Sequence, residues 1–201
     1  MQLIDRARNI LLTPKTEWPL IEAEPTSIAQ LFKGYVMPFA ALYAVMAFFR
    51  MSIIGYAFWR IPLLSRVVYA LVDFGLALLG VYLLGLIVDG LAPSFAGQRN
   101  QRQAMKTVGY AFTSSAVASV FGLLPRVGPL LQLLAGLYGI YLLYLGLPSM
   151  MRNPQEKSAG YTAVVVVCTI LVFIVLGLLA SVTGGITGHG PLARLQGFQN
   201  L

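Results

Sequence analysis

Long apolar runs, rather than alternation of polar and apolar positions, organise this chain. Five stretches approach the about 20 mostly apolar residues that a helix needs to cross a hydrocarbon core of ~30 Å. They cover 34–58, 67–88, 107–124, 130–147 and 161–182. The fifth carries the run AVVVVCTILVFIVLGLLA. Barrel strands alternate polar and apolar residues, and these runs do not, so the expected fold is all-α, a polytopic membrane protein with five transmembrane helices. Pro125-Arg126-Val127-Gly128-Pro129 separates the third and fourth runs, and a helix cannot pass through it unbroken; a tight helical hairpin is expected there. Before the first run the period is different. Leu3, Ile4, Ala7, Ile10 and Leu11 recur at helical spacing, with Asp5, Arg6 and Arg8 between them. That pattern predicts an amphipathic helix lying on the membrane surface and ending at Thr13-Pro14. Ser27 and Gln30 form a capping-box pattern that starts a second short helix leading into the first span. The expected organisation is a cytoplasmic amphipathic segment over 1–33, one membrane domain over 34–183 and a flexible tail over 184–201.

Composition sharpens this picture. Hydrophobic residues make up 58% of the 201 positions and charged residues 10%, against about 45–50% and about 25% in soluble domains. Disorder and a soluble globule are both excluded, and a single cysteine, Cys168, excludes a disulfide scaffold. The first dozen residues are too charged for the apolar core of a signal peptide, so no cleavable signal is expected. The lysines and arginines, Arg50 in the first run apart, lie between or beside the runs; counting Arg50 with the first loop gives nine on one side and five on the other for five spans, which predicts a cytoplasmic N-terminus and an exterior C-terminus. Their dispersal over every loop explains the +7 net charge by contact with the lipid bilayer, and no nucleic-acid partner is expected.

Few residues carry candidate chemistry. Asp73 stands seven residues into the second run, and an ionisable group in a span is a functional hypothesis by default. Its candidate partners are Arg50, Arg60 and Arg66, either in a structural ion pair or in ion or proton handling. Asp89, at the other end of that run, faces Arg99, Asn100 and Arg102, which together read as a helix-end pair or as a cytoplasmic interaction surface. Asp73 and Asp89 point about 160° apart around a helix, so they are no acid/base pair. In the fourth run Tyr138, Tyr141 and Tyr144 form a stripe, with Gly136, Gly139 and Gly146 roughly opposite, so the stripe either packs between helices or lines a polar cavity. In the third run Thr113, Ser114 and Ser115 sit among small residues at four-residue spacing, Ala111-Ser115-Ser119 and Ser114-Ala118-Gly122, which suits close helix packing or a pore lining. The lone His189 lies in the tail, away from these serines, so no catalytic residue is expected. One His and one Cys do not build a zinc site, and no nucleotide motif occurs; no cofactor or metal is expected.

The segments TPKTEWPLIEAEPT, GYVMPFAAL, IVDGLAPSFAGQRNQRQAMK, LAGLYGIYLLYLGLPSMM and PQEKSAGYTAVVVV together resemble the bacterial branch of the Yip1 family, from about Asp5 to about Ala180. The resemblance implies a five-span helical domain of the inner membrane with a cytoplasmic N-terminus. Eukaryotic relatives act in vesicle traffic with Rab GTPases, and the family implies no catalytic set. Similar sequences often carry proline after the threonine of the third span, where this chain has Ser114 after Thr113. Two functions are weighed: a non-enzymatic membrane organiser or interaction protein, with an unidentified membrane or cytoplasmic protein partner, and a small homo-oligomeric transporter or channel. The second would use Asp73, Arg50, Thr113, Ser114, Ser115 and the three tyrosines. A cavity reaching Asp73 and the tyrosine stripe would favour it.

Overall fold

The computed structural model describes residues 3–53 and 63–186. Arg60, His189 and most of the expected tail lie outside them, as does the stretch that closes the first run. The described chain is helical throughout, with no strand among these residues.

Helices α1 (Leu3–Leu12) and α2 (Pro14–Ala23) form a hairpin bent at Thr13. Thr13 closes α1 by donating its amide to the Asn9 carbonyl at 2.7 Å. Pro14 then opens α2, at a position where the missing N–H costs nothing. The short α3 (Ile28–Leu31) starts with the expected capping box: the Gln30 amide donates to Ser27 Oγ at 3.2 Å and the Ser27 amide to Gln30 Oε1 at 2.9 Å. It runs through a π turn over Phe32–Val36 into α4 (Met37–Ile53). Pro38 accounts for the widened turn, because its ring would clash with the carbonyl four residues earlier in regular α geometry.

Helix α5 (Leu63–Leu91) ends in a 3-10 turn over Ala92–Phe95 and a left-handed Ala96. Asn100 caps α6 (Gln101–Ala118) by accepting the Gln103 amide at 3.2 Å. A 3-10 segment over Ser119–Leu123 leads through the proline turn to α7 (Gly128–Met151), so the expected hairpin of two helices is present. A left-handed Arg152 separates α7 from α8 (Gln155–Ile186). Four stretches are long and apolar enough to cross a membrane: Ile28–Arg50, Leu63–Phe95, Gly128–Met151 and Gln155–Ser181.

The third expected span, 107–124, falls on α6 and its 3-10 extension, which do not reach that apolarity. This helix is the hub instead. It packs against α4, α5, α7 and the N-terminal hairpin, and buries most of its residues from Ala104 to Ala118. A helix wrapped by others needs small and polar contacts rather than an apolar outer face. The outward burden falls on α8, whose Leu171, Phe173, Val175 and Leu178 are all exposed. The glycines of α5 serve separate neighbours: Gly85 takes Met105 of α6, Gly80 faces Leu176 of α8, and Gly75 and Gly90 meet nothing.

The hairpin between α6 and α7 turns on Gly128, where a Cβ would stand 2.2 Å from the Phe121 carbonyl oxygen. That neighbour is backbone and cannot swing aside. Gly128→Ala is therefore expected to lower stability by about 1–3 kcal/mol, read as a lower melting temperature in detergent. An unchanged value would show that the turn relaxes freely.

Candidate functional site

Two features stand out: the polar core of the N-terminal hairpin, and a cavity beside Asp73.

Arg6 of α1 is buried and forks between two carboxylates of the segment that follows. It donates to Glu17 Oε1 at 2.6 Å, with both side chains almost inaccessible, and to Glu24. Lys106 of α6, also buried, donates from Nζ to the carbonyls of Ile21 at 2.8 Å and Glu24 at 2.6 Å. It thereby satisfies the open carbonyls at the C-terminus of α2, where the helix dipole favours a cation. Gln103 adds a bond to the Glu22 carbonyl at 3.0 Å. The apolar side of α2 is anchored by Trp18, which lies against Gly146 of α7 so closely that a Cβ there would meet the indole at 2.7 Å. Trp18 meets Tyr110 edge-on, Tyr110 packs on Tyr35, and Tyr35 hydroxyl shares a 2.7 Å bond with Thr113 Oγ1.

The depth of this hairpin follows from one bond and the length of its arms. Tyr138 hydroxyl donates to the Leu11 carbonyl at 2.6 Å, beside the bend. Tyr138 is fourteen residues from Arg152, which pairs with Glu22 at the hairpin's base at 3.4 Å. The arms α1 and α2 are ten residues each, so at 1.5 Å per residue the bend stands about 15 Å from the base, alongside the C-terminal half of α7. The expected helix α1 is present, but it does not present Leu3, Ile4, Ala7, Ile10 and Leu11 as one face. Ala7 and Ile10 are buried with Arg6, while Ile4 points outward at 76% exposure. The buried ion pair sets the rotation of the helix, since a carboxylate and a guanidinium leave water together only when they meet.

The cavity, of about 630 Å³, lies between α5, α6, α7 and α8. Its walls are apolar, with Leu84, Val108, Ile140, Leu143 and Val165 among them. Its polar groups are Tyr43, Asp73, Ser115, Gln132 and Thr169. Asp73 and Ser115 were legible as candidates; Tyr43, Gln132 and Thr169 were not. Arg50 is the cation whose field reaches Asp73, yet among the described residues no ion pair joins them. Arg50 and Gln132 converge instead over Gly122, within 3.5 Å and 2.6 Å of where its Cβ would stand.

The other candidates scatter. Thr113 turns to Tyr35, and Ser114 bonds the Ala111 carbonyl at 3.0 Å and packs under Gly139, so neither lines the cavity. The tyrosine stripe does not face it either: Tyr138 goes to the hairpin, while Tyr141 and Tyr144 line a separate open groove with Ala159, Thr162 and Ala163. A three-residue repeat drifts by about 60° per step on a helix, so the three rings address different neighbours. Gly139 and Gly146 give the expected close approaches, and Gly136 opens on the cavity. At the other end Arg99 pairs with Asp89 at 3.5 Å, Asn100 caps α6 and Arg102 is exposed; this is a helix-end arrangement. No cluster of metal-ligating side chains occurs among the described residues. The residues missed from sequence are Arg6, Glu17, Glu24 and Lys106. The available signal was the seven-residue spacing of Glu17 and Glu24, which brings both to one helical side.

The Yip1 domain matches residues 8–177. The inner membrane protein YohC of Escherichia coli K12 is 25% identical over 179 residues, which cover 86% of this chain and 92% of that protein, and its counterpart in strain CFT073 matches equally. No solved structure matches the chain.

Arg6→Met strands the buried Glu17 carboxylate and is expected to cost about 3–5 kcal/mol, measured as a lowered melting temperature. Arg6→Met with Glu17→Leu removes both charges and is expected to recover most of that loss. A double variant as unstable as the single one would refute the pair as the hairpin's anchor.

Proposed function

The chain belongs to the Yip1 family, and on that premise we propose that it is a non-catalytic, membrane-organising protein of a bacterial inner membrane. The family membership and the inner-membrane relative in Escherichia coli support the location. In this reading α6 is a fifth crossing, shielded from lipid by its neighbours. The Asp89 end of the bundle is cytoplasmic, in keeping with the excess of lysine and arginine on that side.

The observation that carries the reading is the depth of the hairpin. With its base at the cytoplasmic boundary and arms of ten residues, about 15 Å long, the hairpin of α1 and α2 occupies the inner leaflet and does not reach the next. Ile4, Leu12 and Leu20, each more than half exposed, then face lipid. Toward the Asp73 end the hairpin is absent and the bundle is hollowed by the cavity. A body broader in one leaflet than in the other displaces lipid unequally, and membranes answer unequal insertion by bending. Both helices keep their backbone bonds internal, as the hydrocarbon demands.

The transporter reading gains one point and loses two. The cavity does reach Asp73, but not the tyrosine stripe. It also runs blind: its lining stops at Leu84, Leu143 and Val165. Beyond them Val88, Met105 and Tyr161 are fully buried, with Tyr161 hydroxyl bonded to the Val88 carbonyl. Homo-oligomers, through the exposed face of α8, are compatible with the organising role.

Reconstitution into large vesicles is expected to give smaller or tubular membranes as the protein-to-lipid ratio rises. Leu12→Asp and Leu20→Asp, which place carboxylates at lipid-facing sites at a cost of about 2.5–3.5 kcal/mol near the centre, are expected to abolish the deformation while the helical content stays intact. Undeformed membranes with the wild-type chain would overturn the organising role, and solute flux lost in Asp73→Asn would install the transporter. For orientation, in a Cys168→Ala background, Val127→Cys is expected to react with an impermeant maleimide in intact cells, and Arg152→Cys only after permeabilisation. The reverse pattern would invert the topology.

A further inference from the structure

We propose that the cavity beside Asp73 binds one phospholipid with a primary ammonium headgroup, its acyl chain between α5 and α8 and its headgroup shared by Asp73 and Arg50. The proposal rests on the helices crossing a bilayer, and not on the bending of that bilayer.

Depth is the first argument. Asp73 lies sixteen residues from Asp89 on α5, or about 24 Å, and Gln132 twenty residues from Arg152 on α7, or about 30 Å. Arg50 is twenty-two residues from Ile28, or about 33 Å. Measured from the opposite ends of their helices, all three reach the far boundary of a core of ~30 Å within about one helical turn. Asp73 is therefore a headgroup-level residue, which explains how a half-buried carboxylate is tolerated in so apolar a helix.

Charge is the second. The Asp73 carboxylate lines the cavity, and the Arg50 guanidinium arm lies over Gly122 beside Gln132, another lining residue; no ion pair joins Asp73 and Arg50 among the described residues. Two opposite charges held apart complement a headgroup that carries both signs. Asp73 accepts hydrogen bonds from an ammonium, and Arg50 donates to a phosphate, for which its planar fork is suited. Gln132 and Tyr43, also in the lining, supply further neutral contacts.

Shape is the third. Apart from these groups the walls are almost wholly apolar, and about 630 Å³ is within the usual range for a site that encloses a small organic molecule. Water gains no polar partners there, whereas an acyl chain gains contact on several sides. Gly136 and Gly177 contribute to the space: both line the cavity, and a Cβ at either would meet nothing within 4 Å.

The test is native mass spectrometry of the full chain in detergent, with an equimolar mixture of chain-matched phosphatidylethanolamine, phosphatidylcholine and phosphatidylglycerol. One bound lipid is expected, with phosphatidylethanolamine favoured by about tenfold, the scale of one charge-assisted hydrogen bond. Asp73→Asn is expected to erase the preference over phosphatidylcholine, and Arg50→Gln to weaken all three lipids together. Gly136→Phe directs a ring into the cavity from a position where a Cβ meets nothing within 4 Å, and is expected to abolish the bound lipid while helical content is retained. Equal occupancy by the three lipids, or preference for phosphatidylglycerol, would overturn the headgroup assignment. Lipid retained by Gly136→Phe would overturn the site. Neither result bears on the vesicle-shape measurement.

Discussion

A polypeptide inside a bilayer must satisfy its own polar groups, and the fold is organised around the place where that demand is hardest to meet. The end of α2 and the side chain of Arg6 would both be unsatisfied in hydrocarbon. Glu17 and Glu24 take the guanidinium, and Lys106 takes the carbonyls that α2 leaves open. Because Lys106 is on α6, this one arrangement also ties the hairpin to the hub helix. Trp18 on Gly146 and Tyr138 on the Leu11 carbonyl tie it to α7. Charge, carbonyl and aromatic contacts thus fix the hairpin at one depth and one rotation.

The same constraint explains why the least apolar helix is the innermost. Thr107, Thr113, Ser114 and Ser119 are buried on or at the end of α6, with their hydroxyls bonded to backbone carbonyls or to Tyr35. Small residues allow α5 and α7 close approach, and the hydroxyls never meet lipid. The overall apolarity of α6 is low because it is wrapped by its neighbours and has little outward face to present.

At the Asp73 end the order is reversed. No hairpin fills the bundle there, and the helices leave a largely apolar cavity that Asp73, Tyr43 and Gln132 help to line. The two ends therefore differ: an internally satisfied helical hairpin packs at one, and a largely apolar cavity with one carboxylate in its wall lies at the other.

Sequence by itself determined the membrane class, the helical runs, the capping box at Ser27, the proline turn between α6 and α7, and the Asp89–Arg99 end. Each of these is a local matter of period, propensity or neighbouring residues. Only the tertiary structure decided what the charges near the N-terminus do. In the chain, Arg6 and Lys106 look like two more basic residues flanking spans, and they are 100 positions apart. Their roles depend on which carboxylates and carbonyls arrive beside them, which no local pattern records. Which neighbours the tyrosine stripe meets was undecided in the sequence for the same reason. Its three-residue spacing is real, but a helix turns between its members, and the three neighbours they meet come from different parts of the chain. Asp73 was legible as an anomaly, and only the tertiary structure placed it in the wall of a cavity with Tyr43 and Gln132.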